Sequence, residues 1–219
     1  MKKLKFLAIL VSIIVLVALS VRFQPWSLLG ANEVTPIRVA CVGDSITAIT
    51  GYPSDLQSLL GSGYTVGNFG VNGTTVLLDS WNPYMNQSEF QKALDFKPNI
   101  VIIMLGTNDD LQMLRPSNTS FEEDYTKLIY AFQQLESTPK IWIVTPPPIF
   151  SNSSDLSNAY FKGMIIPKIE DLAHKMNLPL IDVYSAFGNH SDYFVDGVHP
   201  NSEGAALIAS EVYKAINQK

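Results

Sequence analysis

The chain predicts an α/β protein, a parallel β-sheet flanked by helices. Three observations carry that expectation. Its 219 residues are 47% hydrophobic, 16% charged and include one cysteine, so one domain with a large core forms without disulfides. Short, nearly continuous aliphatic runs recur along it, as strands covered on both faces require. Amphipathic helical stretches separate those runs, and regular strand–helix alternation means a parallel sheet.

The expected strands are 37–42, 64–69, 100–105, 141–145 and 180–182. One helix is read from Phe121, Tyr125, Leu128, Ile129, Phe132 and Leu135, which fall on one apolar stripe at helical spacing. Ser120 before it and Glu122, Glu123 and Asp124 in its first turn suit the positive helix end. A later helix is expected to start at Pro167, since proline suits a first turn, with Ile169, Leu172, Ala173 and Met176 facing inward. A last helix is expected over about 201–216.

The N-terminus reads as a targeting segment. Met1 to Lys5 holds three lysines, and an uncharged apolar run follows over 6–21. As helix, sixteen residues span about 24 Å, slightly short of a bilayer's ~30 Å hydrocarbon core. The preceding lysines orient such a run with its N-terminus in the cytoplasm, so the remainder is expected outside. Residues 1–21 are thus a signal anchor or a cleaved signal peptide, 22–36 a linker, and 37–219 the functional domain. Membrane contact is expected through the N-terminal segment alone. Residues 1–20 carry three of the 15 basic side chains and none of the 20 acidic ones, so the exported part has a formal charge of −8 rather than −5. That balance excludes nucleic acid as a partner, because phosphate binding needs a basic face.

In open parallel sheets, sites form at the carboxyl ends of the strands. There the chain places Gly43-Asp44-Ser45, then Gly70-Val71-Asn72-Gly73, then Gly106-Thr107-Asn108-Asp109, and near its end Asp196-Gly197-Val198-His199. A serine becomes nucleophilic when a base takes its proton, and histidine, with an ordinary pKa near 6.5, suits that work. A carboxylate beside the imidazole fixes its tautomer, and backbone N–H groups of glycine turns stabilise an oxyanion. Activity is therefore expected to rise with pH through the titration of a histidine.

These four blocks, in this order, resemble those of the SGNH hydrolases, also called the GDSL-type lipase/esterase family, over about residues 37–216. The first block reads Gly-Asp-Ser-Ile-Thr where the family name implies leucine. The resemblance implies a flavodoxin-like three-layer α/β/α sandwich with strand order 2-1-3-4-5. It implies Ser45 as nucleophile, His199 as base and Asp196 as its partner, with oxyanion donors from Ser45, Gly70 and Asn108. Asp44 and Asp109 are read as ordering and capping residues around them. No metal or cofactor is called for. The expected substrate is a small-molecule or glycan ester with a short acyl group, acetyl esters of carbohydrates first and lysophospholipids or other lipid esters second. Acyl transfer to a sugar, or a non-catalytic binding module on the same fold, are the other readings.

Other candidates carry less. Gly188-Asn189-His190 echoes a metallophosphoesterase element, but the Asp-x-His and Gly-Asp-x-x-Asp sets that chemistry needs are absent from the sequence. His174 is expected on the surface and Cys41 as a buried, inert thiol.

Overall fold

The computed structural model of the protein describes residues 35–112, 120–150 and 158–217. Its five strands are β1 (Ile37–Gly43), β2 (Tyr64–Gly70), β3 (Ile100–Met104), β4 (Lys140–Val144) and β5 (Leu180–Ile181). They form one sheet of order β2-β1-β3-β4-β5, with every neighbouring pair parallel. Each strand begins and ends within two residues of its expectation. The expected order is the observed one.

Alternate side chains of the central strands enter opposite cores, as the two-residue strand period dictates. Ala40 and Val42 of β1, Val101 and Ile103 of β3, and Ile141 and Ile143 of β4 face one core. Helices α3 (Ser88–Asp95) and α5 (Phe121–Gln133) close that face together with the helical run over 158–175. Val39, Cys41, Ile100, Ile102 and Met104 face the other. It is closed by α1 (Ser45–Ile49), α2 (Tyr52–Leu60), α7 (Val183–Phe187) and α8 (Ser202–Asn217). A single-turn helix α4 (Asp109–Gln112) follows β3. The result is a three-layer α/β/α sandwich.

Helix α5 starts as the sequence predicts, with the Ser120 hydroxyl accepting from the Glu123 N–H at 3.1 Å. Phe121, Tyr125, Leu128, Ile129 and Phe132 are all buried. The α-helix containing Pro167 starts at Ile166, one residue from expectation and with the proline in its first turn, but further helical turns lead into it. Among the described residues the helical run already includes Asn158–Tyr160, continues through a π-helical turn at Phe161–Ile165, and resumes as α-helix over Ile166–Lys175. These three parts together are α6. Proline has no N–H to donate to the carbonyl four residues back, and its ring crowds that carbonyl. The wider π turn, with the Ile166 N–H donating to Phe161 C=O, relieves both problems without ending the helix. Proline keeps its expected place in the first turn of the α-helical part, within a longer helical run.

Pro36–Lys219 forms one compact unit. Among the described residues no helix is long and apolar enough to cross a membrane. The targeting segment and most of the linker expected over 1–36 lie outside the described residues.

Candidate active site

The strand order puts a crevice where the chain changes direction, between the carboxyl ends of β1 and β3. Ser45 follows β1 and Asn108 follows β3, so both sit at that crevice.

Ser45 is the first residue of α1. The cap of that helix is its neighbour, whose Asp44 Oδ1 accepts from the Ile46 N–H at 2.9 Å. Capping is therefore the task of Asp44, and the Ser45 hydroxyl is left for another partner. That partner is the His199 Nε2, at 2.9 Å. The other ring nitrogen, His199 Nδ1, lies 2.7 Å from Asp196 Oδ2. Serine, histidine and carboxylate thus stand in one hydrogen-bonded line, although 154 residues separate Ser45 from His199.

The loop carrying His199 is held from several sides. The Asp196 Oδ1 accepts from the Val198 N–H at 2.9 Å and from the His199 N–H at 2.8 Å. Phe194 and Pro200 form an antiparallel bridge across the loop base, and the Val195 N–H donates to His199 C=O. Phe194 itself packs on Phe150 and Phe187, with ring centroids 5.2 and 5.1 Å apart. Partial burial would raise the Asp196 pKa. The hydrogen bonds from the His199 ring and from the His199 and Val198 amides outweigh it and hold the carboxyl at about 2. Asp196 is therefore ionised wherever the protein works.

Two further carboxylates lie beneath the site, wholly buried. Burial pushes Asp44 up to about 6, against the Ile46 N–H and the neighbouring Thr107 hydroxyl, which lower it. Asp109 rises to about 7 for the same reason, despite hydrogen bonds from the Val76 and Leu77 N–H groups at 3.0 Å. Asp109 fastens the loop after β2 to the end of β3. Neither group bonds to the triad side chains.

The structure departs from the sequence reading at Gly70. Its N–H already donates to Asn68 Oδ1 at 3.0 Å, and Asn68 in turn donates to Ala48 C=O at 3.3 Å. A β-carbon at Gly70 would lie 2.7 Å from the Thr47 carbonyl carbon, so the glycine serves the close approach of α1 to β2. Three residues on, Val71 to Thr74 form a turn in which the Thr74 N–H and hydroxyl both bond Val71 C=O. Gly73 occupies its third position at φ +70°, as a type II turn requires. Among the described residues the Gly73 N–H donates to none. Asn108 Nδ2 donates one hydrogen to Thr74 C=O at 3.0 Å, so its side-chain amide is fixed beside that turn with a second hydrogen to spare. Gly73 is absent from the candidates expected from sequence, although the Asn72-Gly73 dipeptide is a strong turn marker.

The remaining candidates lie elsewhere. His190 is exposed, stacked on Tyr193 with ring centroids 4.5 Å apart and paired with Asp192 at 3.4 Å. His174 is exposed on α6. Cys41 is fully buried in β1, and burial pushes its thiol up to about 12.

The α/β/α sandwich thus brings a serine, a histidine and a carboxylate into one hydrogen-bonded line at the carboxyl ends of its strands. Residues 41–207 match the GDSL-like Lipase/Acylhydrolase family, and the chain belongs to that family. An acetylxylan esterase of Xylanibacter ruminicola is 36% identical over 206 residues, which cover 82% of this chain and 43% of that protein. The chain thus spans less than half the length of that relative. Among solved structures, a carbohydrate acetylesterase family member from Sinorhizobium meliloti superposes with a TM-score of 0.66 at 22% identity, covering 82% of this chain and 97% of the other. An aryl esterase of M. smegmatis superposes with a TM-score of 0.66 at 20% identity, covering 82% and 98%.

Proposed function

We propose that the protein is a carboxylic ester hydrolase that removes short acyl groups, acetyl first, from carbohydrate esters. The single observation that carries this is the line from Ser45 Oγ through the His199 ring to Asp196, at 2.9 and 2.7 Å.

Ser45 Oγ attacks the ester carbonyl while His199 Nε2 takes its proton. Asp196 keeps the Nδ1 proton in place and balances the imidazolium charge. The negative carbonyl oxygen of the tetrahedral adduct is held by the Ser45 N–H, the free hydrogen of Asn108 and, in place of Gly70, the Gly73 N–H. Collapse breaks the bond to the alcohol, which leaves with the proton from His199. Water then attacks the acyl-serine, its proton passes to His199, and the serine oxygen recovers that proton as the acid departs. No cofactor enters these steps. The acetyl preference is supported by the acetylxylan esterase relative and by the carbohydrate acetylesterase neighbour.

The apolar run 6–21 behind three lysines supports export, with the catalytic domain outside the cytoplasmic membrane, anchored or released.

The test is hydrolysis of 4-nitrophenyl acetate by the protein and by its Ser45→Ala variant. The proposal expects loss of turnover in the variant by about 10³-fold or more, with whatever remains due to the oxyanion donors. It also expects a fluorophosphonate to label Ser45 once per chain. Equal rates from both proteins would refute it.

A further inference from the structure

We propose that Trp81 is the platform on which the sugar ring of the ester stacks, which makes it a specificity-determining residue. This rests on the ester-hydrolase reading and extends it from the acyl group to the alcohol.

Trp81 is 60% exposed, although tryptophan is a residue that folding ordinarily covers. It is held in that position. The loop 75–83 that bears it is closed at its base by a Thr75–Pro83 bridge, and the Tyr84 N–H donates to Thr75 C=O at 2.9 Å. The next residue, Asn82, accepts from the Thr75 N–H at 3.1 Å and donates to Asn72 C=O at 3.2 Å. That last bond ties the tryptophan loop to the turn bearing Gly73.

The contact at Gly73 places the indole. A β-carbon on Gly73 would stand 2.9 Å from Trp81 Cη2 and 3.6 Å from Cζ2, so the benzo edge of the ring rests on this glycine. The Gly73 N–H is the backbone group assigned above to the reacting carbonyl oxygen. On that assignment the exposed Trp81 side chain stands next to the turn that holds the reacting carbonyl, where the alcohol part of the ester can lie against it.

The surroundings say what kind of group fits. The residues beside Trp81 in its loop and in the turn tied to it are polar: Asn72 is exposed, Ser80 and Asn82 are half-buried, and Gln87 donates to Asn82 Oδ1 at 2.9 Å. A fatty chain would call for an apolar surround. A pyranose has an apolar face of C–H groups and a rim of hydroxyls, and it matches an aromatic plane bordered by amides and hydroxyls.

The experiment compares two esters that share an acetyl group, acetylated xylotriose and ethyl acetate, on the full chain. The Trp81→Ala variant is expected to raise KM for the sugar ester about ten-fold and to lower the ratio of kcat/KM, sugar ester over ethyl acetate, by a similar factor. Trp81→Phe, which keeps an aromatic plane, is expected to recover most of that ratio. An unchanged ratio in Trp81→Ala overturns the inference. A second readout avoids turnover: calorimetric binding of unacetylated xylotriose to Ser45→Ala, expected to weaken about ten-fold when Trp81→Ala is added. No weakening overturns the inference even if the sugar ester is cleaved. Sugar binding that depends on Trp81, with no esterase activity in the unmodified chain, would instead refute the hydrolase reading and leave a carbohydrate-binding surface.

Discussion

Asp196 serves two structures with one carboxylate. Its Oδ1 holds the backbone of the loop and its Oδ2 holds the imidazole. Replacing Asp196 with Asn separates these tasks. The amide oxygen can still accept from the backbone, but its NH2 then faces His199 Nδ1 and favours the tautomer with the proton on Nε2, where a base is needed. Asp196→Asn is expected to lower kcat by about 10³-fold with little change in KM, read by steady-state kinetics on 4-nitrophenyl acetate. Preserved kcat would mean that His199 is positioned by its loop alone. The triad residues were legible because each stands in a block of invariable chemical logic: a serine after a strand, or a carboxylate three residues before a histidine. Gly70 against Gly73 was not legible. Both are glycines in one loop after β2, and which amide stays free depends on where the Asn68 side chain turns.

At the scale of elements, the sheet was readable because its strands are buried on both faces, which leaves uninterrupted aliphatic runs such as Ile100–Met104. Helix α5 was readable because it is buried on one side only. Its cap and its stripe predict different losses. Ser120→Ala removes one capping bond and is expected to cost about 1 kcal/mol. Phe132→Ala empties a fully buried site and is expected to cost about 3–5 kcal/mol, both measured by denaturant unfolding. In helix α6 the first turn at Pro167 is legible, whereas the helical turns ahead of it are not, because a proline in a sequence does not show that a π turn precedes it. The loop 74–77 depends on Asp109, and its carboxyl has a pH signature. A carboxyl raised to about 7 in the fold, against a usual value near 4, favours the protonated form, so the folded state holds more protons than the unfolded one across that interval. Its contribution to stability is whole below about pH 4 and is lost as pH rises through about 7; Asp44, raised to about 6, acts in the same direction. The melting temperature is expected to fall between pH 5 and 8, and to fall less steeply in Asp109→Asn. A melting temperature that climbs over that range would contradict the assignment.

For the molecule as a whole, the site is assembled from both ends of the domain. Ser45 stands just after the first strand and His199 just before the last helix, so no fragment of the sheet carries the function. The unit Pro36–Lys219 contains every group assigned to the reaction. A chain starting at Pro36 is expected to fold and to match the full chain in kcat/KM on 4-nitrophenyl acetate, while only the full chain partitions with membranes. A large deficit in the shorter chain would assign part of the catalytic domain to the first 35 residues. The overall architecture was foreseeable from alternation alone, and the strand order from the family that the four blocks resemble. What neither supplied was the placement of Trp81, because an exposed aromatic leaves no periodic mark and its position depends on bonds from Asn82 to a separate turn.

The lone thiol of the sheet has a use of its own. Cys41 lies in β1 between two other strands, sealed from solvent. A disulfide reagent such as Ellman's meets no accessible thiol on the described part of the intact molecule, and reaches Cys41 only when the helices that cover its face of the sheet come away. Under native conditions the rate at which colour develops is then a clock for the opening of that layer. The protein carries its own probe of that event, with no label added and no residue changed.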